Sequence, residues 1–344
     1  MSQAALDLSH KSPLAEFLDE HFTREELAHT LGTAAADVPW ACWSDALYEP
    51  LAEFLGRPGK EFRARLVQAA FTIGGGREMA PELPAIIEAI HAGSLIIDDI
   101  EDDSAYRRGA PALHVRYGMA RALNAGSLLY FWPHELLGRI QLHATVELAI
   151  RRAIDRTLFA AHHGQALDLS VRVTSLGQAE VEKVVSTTTR LKTGALVGLA
   201  AEIGALAAGA PAEVTRSLAR FGQALGVGLQ MADDWGGLAS ESRCHKGHED
   251  LLLSRPTWPW AWAAQRLEPA AYARLLAQAQ KVHDHELHPE HVSEALRDTL
   301  TRYAPAVIHQ TLTRATRELA HVVGPSAALT DLEAQVRVLE ASYV

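Results

Sequence analysis

Residues 95–109 read LIIDDIEDDSAYRRG, and this stretch decides the fold. The approach to it, IIEAIHAGSLII over 86–97, is apolar at helical spacing, with Ile86, Ile87, Ile90, Leu95 and Ile97 set among small residues. On a helix, Asp98 and Asp102 stand one turn apart on one face, with Asp99 beside them. Carboxylates packed that closely repel one another unless something positive sits among them. A hard divalent cation with oxygen ligands, Mg²⁺ bridging to phosphates above all, meets that need. Arg107 and Arg108 follow directly, and guanidinium forks match diphosphate oxygens. Most charge runs are solvated helix ends. Here the acids end a buried element, which makes that bland reading the weaker one.

Outward from this stretch nearly every segment keeps the helical period. Residues 145–170, 178–210, 212–235, 258–284 and 290–320 are rich in Ala, Leu, Glu, Gln and Arg. Alternating Val/Ile/Thr runs between tight turns, the mark of strands, are missing. Breaks fall where Gly and Pro cluster, at 56–59, 74–76, 109–111, 209–211 and 254–259, and none is long enough to be an interdomain linker. The expectation is all-α: one helical domain over 1–344, least clearly patterned at 1–35 and 323–344.

A second acidic pair, Asp233 and Asp234 in GLQMADDWGG (228–237), is read as closing another apolar helix, with Gln230 one turn before Asp234. A helix C-terminus repels anions, which again favours a bound cation. Two such acid clusters suggest a cavity with metals between them. The basic residues Lys60, Arg63, Lys192, Lys246 and Arg255, with Thr193, lie beside Gly/Pro breaks where helix ends converge. Each alone is more often a solvated surface charge. His91 lies two turns before Asp98 and shares its helix, although a lone histidine there is more often a satisfied core residue.

Net charge is -10, from 32 basic and 42 acidic residues. That balance argues against non-specific nucleic-acid binding, which draws on neutralised phosphates. Two cysteines, Cys42 and Cys244, make no disulfide framework. The N-terminal stretch carries acids early and reads as no secretory signal. The most apolar stretch, 193–211, is interrupted by Glu202 and reads as a buried helix rather than a membrane span. The expected home is the cytoplasm. Adjacent His162 and His163 cannot face one point on a helix, so a transition-metal site there is disfavoured. Trp40, Trp43, Trp258 and Trp260 read as packing.

Together these motifs resemble the trans-isoprenyl diphosphate synthases, most closely the eukaryotic-type geranylgeranyl diphosphate synthases. The resemblance is carried by IHAGSLIIDDIEDDSAYRRGAPALHVRYG (90–118), PGKEFR (58–63), HHGQALDL (162–169), LKTG (191–194), LQMADD (229–234) and KGHEDLLLSRPTWP (246–259), in order over roughly residues 45–260. It implies an isoprenoid synthase bundle around a central apolar cavity, a homodimer, and three Mg²⁺ ions clamping an allylic diphosphate. Asp98, Asp102 and Asp233 would be the metal ligands, supported by Asp99 and Asp234. Arg107, Lys192, Thr193, Gln230 and Lys246 would address the allylic diphosphate. Lys60, Arg63, His91 and Arg108 would bind isopentenyl diphosphate. Ser94 and Gly93, four and five residues before Asp98, are small and leave the near floor of the product tunnel open. Tyr130, Phe131 and His162 match a deeper floor, which implies growth to geranylgeranyl diphosphate.

The chain departs from that pattern at its second motif, Asp233-Asp234-Trp235-Gly236-Gly237, where the last ligand position is glycine. Arg255 stands where lysine is usual, and one residue is missing between Lys246 and Asp250. Two other readings therefore stand beside the synthase. One is a terpene cyclase on the same scaffold, which has no need of the isopentenyl residues. The other is a non-catalytic partner subunit.

Overall fold

Apolar residues at helical spacing, punctuated by proline and glycine, fold this chain into helices almost throughout. The computed structural model describes residues 13–59, 61–240 and 243–342. The fold is all-α: among the described residues the only strands are the two residues on each side of one hairpin. The chain divides into two compact units, residues 1–65 with 78–147, and residues 66–77 with 148–344.

The first unit holds helices α1 (Pro13–His21), α2 (Arg24–Leu31), α3 (Trp40–Trp43), α4 (Glu49–Leu55), the start of α5 (Phe62–Ile73) and α6 (Glu82–Glu101). The hairpin β1 (Tyr106–Arg107) and β2 (Ala110–Pro111) follows, then α7 (Leu113–Tyr117) and α8 (Met119–Arg139). α6 buries Leu83, Ile86, Ile87, Ile90 and Ile96 against its neighbours, chiefly α8. Each such side chain contributes roughly 1.5–3 kcal/mol of burial. The two helices meet backbone to backbone: a Cβ on Gly93 would lie 2.9 Å from the Gly126 carbonyl oxygen. Gly93 is thus accounted for by helix packing, not only by the tunnel wall that the sequence suggests. α6 ends at Asp102, and Asp103 turns the chain with φ 52°. The hairpin then closes through Arg108 (φ 51°) and Gly109 (φ 77°), the paired positive φ values of a type I′ turn.

The second unit holds the rest of α5 and most of α9 (Ala144–Ser170), then α10 (Gln178–Thr189), α11 (Ala195–Ala207), α12 (Ala212–Ala239) and α13 (Cys244–Leu252). It ends with α14 (Trp258–Arg266), α15 (Pro269–His283), α16 (Pro289–Leu300), α17 (Ala304–Val323) and α18 (Ala327–Ala341). The stretch read as one helix over 178–210 carries a wide π turn at Arg190–Gly194, a distortion that often marks functional sites. The stretches 258–284 and 290–320 are each two helices. Pro269 and Pro305 sit in the first turn of α15 and α17, where a missing N–H costs nothing, and Glu268 before Pro269 leaves the helical region.

One expectation is corrected here. Asp233 and Asp234 do not close their helix, because α12 runs on to Ala239 with Gly236 and Gly237 buried inside it. The reason is α13. A Cβ on Gly247 would stand only 2.2 Å from the Gly237 carbonyl oxygen, so α13 packs directly on the α12 backbone at these two glycines. Gly237 does not loosen a helix end; it is the seat of a helix contact.

Candidate active site

In the first unit the last turn of α6 and the hairpin behind it carry the charged groups. Asp99 is buried, and its Oδ1 accepts from Nε of Arg107 at 2.7 Å and from the same guanidinium's NH2. Burial pushes the Asp99 carboxyl above its usual range, and the Arg107 contact pulls against that. Asp98 and Asp102, which bracket it, are half-buried. Asp99 is therefore an anchor for Arg107, whose NH2 also lies 3.9 Å from Asp98 Oδ2, and Asp98 with Asp102 are the pair that could hold a cation. Two carboxylates one helical turn apart fit a hard divalent ion completed by water and phosphate oxygens.

His91 lies on the same helix among arginines. Its imidazole is pushed well below the ordinary value, first by burial and then by Arg63, Arg108 and Arg107. Burial and these three guanidinium charges keep it neutral. Glu88, one turn earlier, accepts the Ala64 N–H at 3.1 Å. Its carboxyl is pushed up by burial, against the pull of Arg63 and this hydrogen bond. Arg108 lies against the 56–59 loop, with its Cζ 3.5 Å from where a Cβ of Gly59 would be and 5.7 Å from the Phe54 ring centre. Arg63, His91 and Arg108 are thus brought together; Lys60 lies outside the described residues. Sequence reasoning missed Arg57, which is 6% exposed and donates to the carbonyls of Arg107 (3.0 Å) and Pro111 (2.8 Å).

In the second unit the π turn and α12 share a polar relay. Lys192 Nζ donates to Asp168 at 2.7 Å. Thr193 donates to Gln230 Oε1 at 2.9 Å, and Gln230 Nε2 donates to Asp234 Oδ1 at 2.7 Å. The Trp258 N–H donates to Asp234 Oδ2 at 3.0 Å. Both oxygens of Asp234 are thereby engaged, and burial pushes its carboxyl up to about 7. Asp234 is a structural acid in this arrangement. Asp233 instead receives Arg243 and Lys246, both from the segment that packs α13 onto α12. Burial opposes its ionisation, but Lys246 and Arg243 more than reverse that and hold it below the usual range. Arg243 and Asp168 escaped the sequence reading, although Asp168 stands inside the quoted HHGQALDL. Asp250 accepts from Arg255 at 3.4 Å, and burial pushes it up to about 6.

The metal fit therefore differs between clusters. The first supplies two suitable carboxylates. The second supplies one, Asp233, already neutralised by two cations, and nothing at Gly237. Among the described residues no group of three His, Cys, Asp or Glu is arranged to hold an ion alone.

Of the residues the sequence assigns to a product tunnel, Ser94 is half-buried and donates to the His91 carbonyl at 2.8 Å. Tyr130 is half-buried, Phe131 is 70% exposed and His162 is exposed.

Residues 44–298 match the family described as polyprenyl synthetase. A geranylgeranyl diphosphate synthase of Methanosarcina mazei is 33% identical over 192 residues, covering 55% of this chain and 58% of that one. A Sulfolobus acidocaldarius relative with the same description is 34% identical over 57% of this chain and 60% of its own. The match thus spans less than two thirds of either enzyme. Geranylgeranyl pyrophosphate synthase 2 of Zymoseptoria tritici is 30% identical over 82% of both chains. Among solved structures, the geranylgeranyl pyrophosphate synthetase of Pyrococcus horikoshii superposes with a TM-score of 0.73 at 21% identity, covering 95% of this chain and 94% of that one. That likeness speaks for the fold.

Proposed function

The chain belongs to the polyprenyl synthetase family, and on that premise we propose that it is a Mg²⁺-dependent trans-prenyltransferase. It would condense isopentenyl diphosphate with an allylic diphosphate and release geranylgeranyl diphosphate. The observation that supports this most is the company of His91: an imidazole kept neutral by burial and by the charges of Arg63, Arg108 and Arg107, on the helix that also carries Asp98 and ends at Asp102. A cyclase needs the aspartates but has no second diphosphate to bind.

In this reading Arg63, His91 and Arg108, with Lys60, hold isopentenyl diphosphate by charge and by a neutral N–H donor. Asp98, Asp102 and Asp233 would hold Mg²⁺, which supplies positive charge against the departing diphosphate of the allylic partner. Arg107, Lys192, Thr193, Gln230 and Lys246 would receive that diphosphate, acting as preorganised donors where charge develops. The allylic C–O bond breaks, the double bond of isopentenyl diphosphate attacks the cation, and a proton leaves to the released diphosphate. Lys246 must let go of Asp233 to take part, and so must Arg243 if Asp233 is to meet an ion. Apolar walls keep water from the cation.

The matched stretch 44–298 runs through both units, which supports one catalytic domain over 1–344. We also propose a cytoplasmic homodimer. Exposed Met119, Leu123 and Phe131 in the first unit, and Leu148 and Phe159 in the second, are large apolar groups that self-association would cover. Kinetics test the division of labour. Arg108→Met should raise KM for isopentenyl diphosphate and leave KM for the allylic substrate near the wild-type value. Equal effects on both would contradict it. The cyclase reading rests on Gly237 and on the neutralised Asp233, and predicts hydrocarbon or alcohol from the allylic substrate alone.

A further inference from the structure

Arg57 is a buried charge that the proposed reaction does not use. Its Nε and NH2 donate to the Glu53 carboxylate at 3.2 and 2.8 Å, and Glu53 also accepts from Arg116 at 3.0 Å. NH1 donates to the Arg107 carbonyl at 3.0 Å and NH2 to the Pro111 carbonyl at 2.8 Å. One guanidinium therefore spans both strands of the hairpin, since Arg107 lies on β1 and Pro111 on β2. The Phe54 ring centre lies 5.2 Å from Arg57 Cζ and 5.7 Å from Arg108 Cζ, so the two arginines share one aromatic platform.

With its charge met by Glu53 and its donors committed, Arg57 is no phosphate ligand. Its bonds go to the backbone of the turn that carries Arg107 and Arg108. That turn is hard to hold: it has two residues per strand and places Arg108, a non-glycine, at φ 51°. Isolated two-stranded hairpins are marginal in water. Burying an ion is costly when stability is the only gain, because apolar residues of similar size do as well. We infer that Arg57 is a positioning residue for isopentenyl diphosphate: it fixes the hairpin backbone so that Arg108 meets the diphosphate. This inference rests on the proposed isopentenyl site.

The test is calorimetric titration of the full chain with isopentenyl diphosphate, with melting temperatures measured alongside. Arg57→Lys keeps the charge beside Glu53 but loses the fork that reaches both carbonyls. It should weaken binding about tenfold, the worth of one charged hydrogen bond. In an Arg108→Met background the same substitution should cost nothing further, because the residue through which it acts is gone. A merely structural role would lower the melting temperature and leave the affinity unchanged, or would act undiminished beside Arg108→Met. Either result overturns the inference. Gly109→Val is the second variant, since it strains the exposed turn at φ 77° without touching Arg57. It should reproduce the loss, and wild-type affinity in it would count equally against the inference. A wild-type chain that binds no isopentenyl diphosphate would refute the underlying site reading; binding that is merely indifferent to Arg57 would refute this inference alone.

Discussion

The two glycines that join α12 to α13 predict an asymmetry that can be measured. A Cβ added at Gly247 would stand 2.2 Å from the Gly237 carbonyl oxygen and 2.7 Å from its carbonyl carbon, both backbone atoms that no rotamer change can move. Carbon and oxygen ordinarily meet at about 3.3 Å or more, so α13 must retreat by about 1 Å. Overpacking of this kind costs about 1–3 kcal/mol. A contact this short against backbone belongs at or above the upper end. Alanine's better helix propensity returns about 1 kcal/mol. The net loss for Gly247→Ala is about 2 kcal/mol, or a melting temperature lower by about 4–8 °C for a unit of this size. Gly237→Ala differs in sign. Its Cβ would meet Gly247 at 3.3 and 3.4 Å, within reach of a small adjustment. The propensity gain then dominates, and the melting temperature should hold or rise. Scanning calorimetry with chelator present reads both. Equal shifts, or a stable Gly247→Ala beside a damaged Gly237→Ala, would refute the packing argument. Gly247→Ala should also cut turnover, because Lys246 is its neighbour and moves with it.

Replacing Asp98 or Asp102 with Asn should lower turnover by about 10²–10³-fold, the scale of losing one electrostatic contact to the transition state, with folding intact by circular dichroism; a loss under tenfold would remove them from metal binding. The Asp250 carboxyl stands at about 6 when folded against about 4 in the unfolded chain. Its folded value is the higher, so its contribution to stability is complete below about 4 and is lost as pH rises through about 6. Urea midpoints should fall more steeply across that window in wild type than in Asp250→Asn, and parallel curves would contradict the assignment. Ser94→Phe should shorten the prenyl product, read by mass spectrometry; an unchanged chain length would remove Ser94 from the tunnel wall.

The helices were legible because burial imposes a period that survives in the sequence, as at Ile86, Ile87 and Ile90. Their breaks were less so. Pro269 and Pro305 start new helices inside stretches that look continuous, and the π turn at Arg190–Gly194 has no composition of its own. That Asp98 and Asp102 lie one turn apart could be read from their spacing alone, while their part in metal binding stays with the proposal. Asp233 and Asp234 look alike in sequence and part company in the fold: Asp234 accepts from Gln230 and the Trp258 N–H, while Asp233 meets Arg243 and Lys246. That division depends on α13 lying against α12, a contact between glycines that no side-chain pattern announces. Arg57 was invisible for a related reason, since beyond Glu53 one turn away its partners are backbone carbonyls about fifty residues off.

The most direct test is a product analysis with purified protein, Mg²⁺ and farnesyl diphosphate, with and without isopentenyl diphosphate, examining both the diphosphate and the hydrocarbon fractions by mass spectrometry. The account predicts geranylgeranyl diphosphate only when isopentenyl diphosphate is present. Hydrocarbon or alcohol formed in its absence, or no product under either condition, would contradict it.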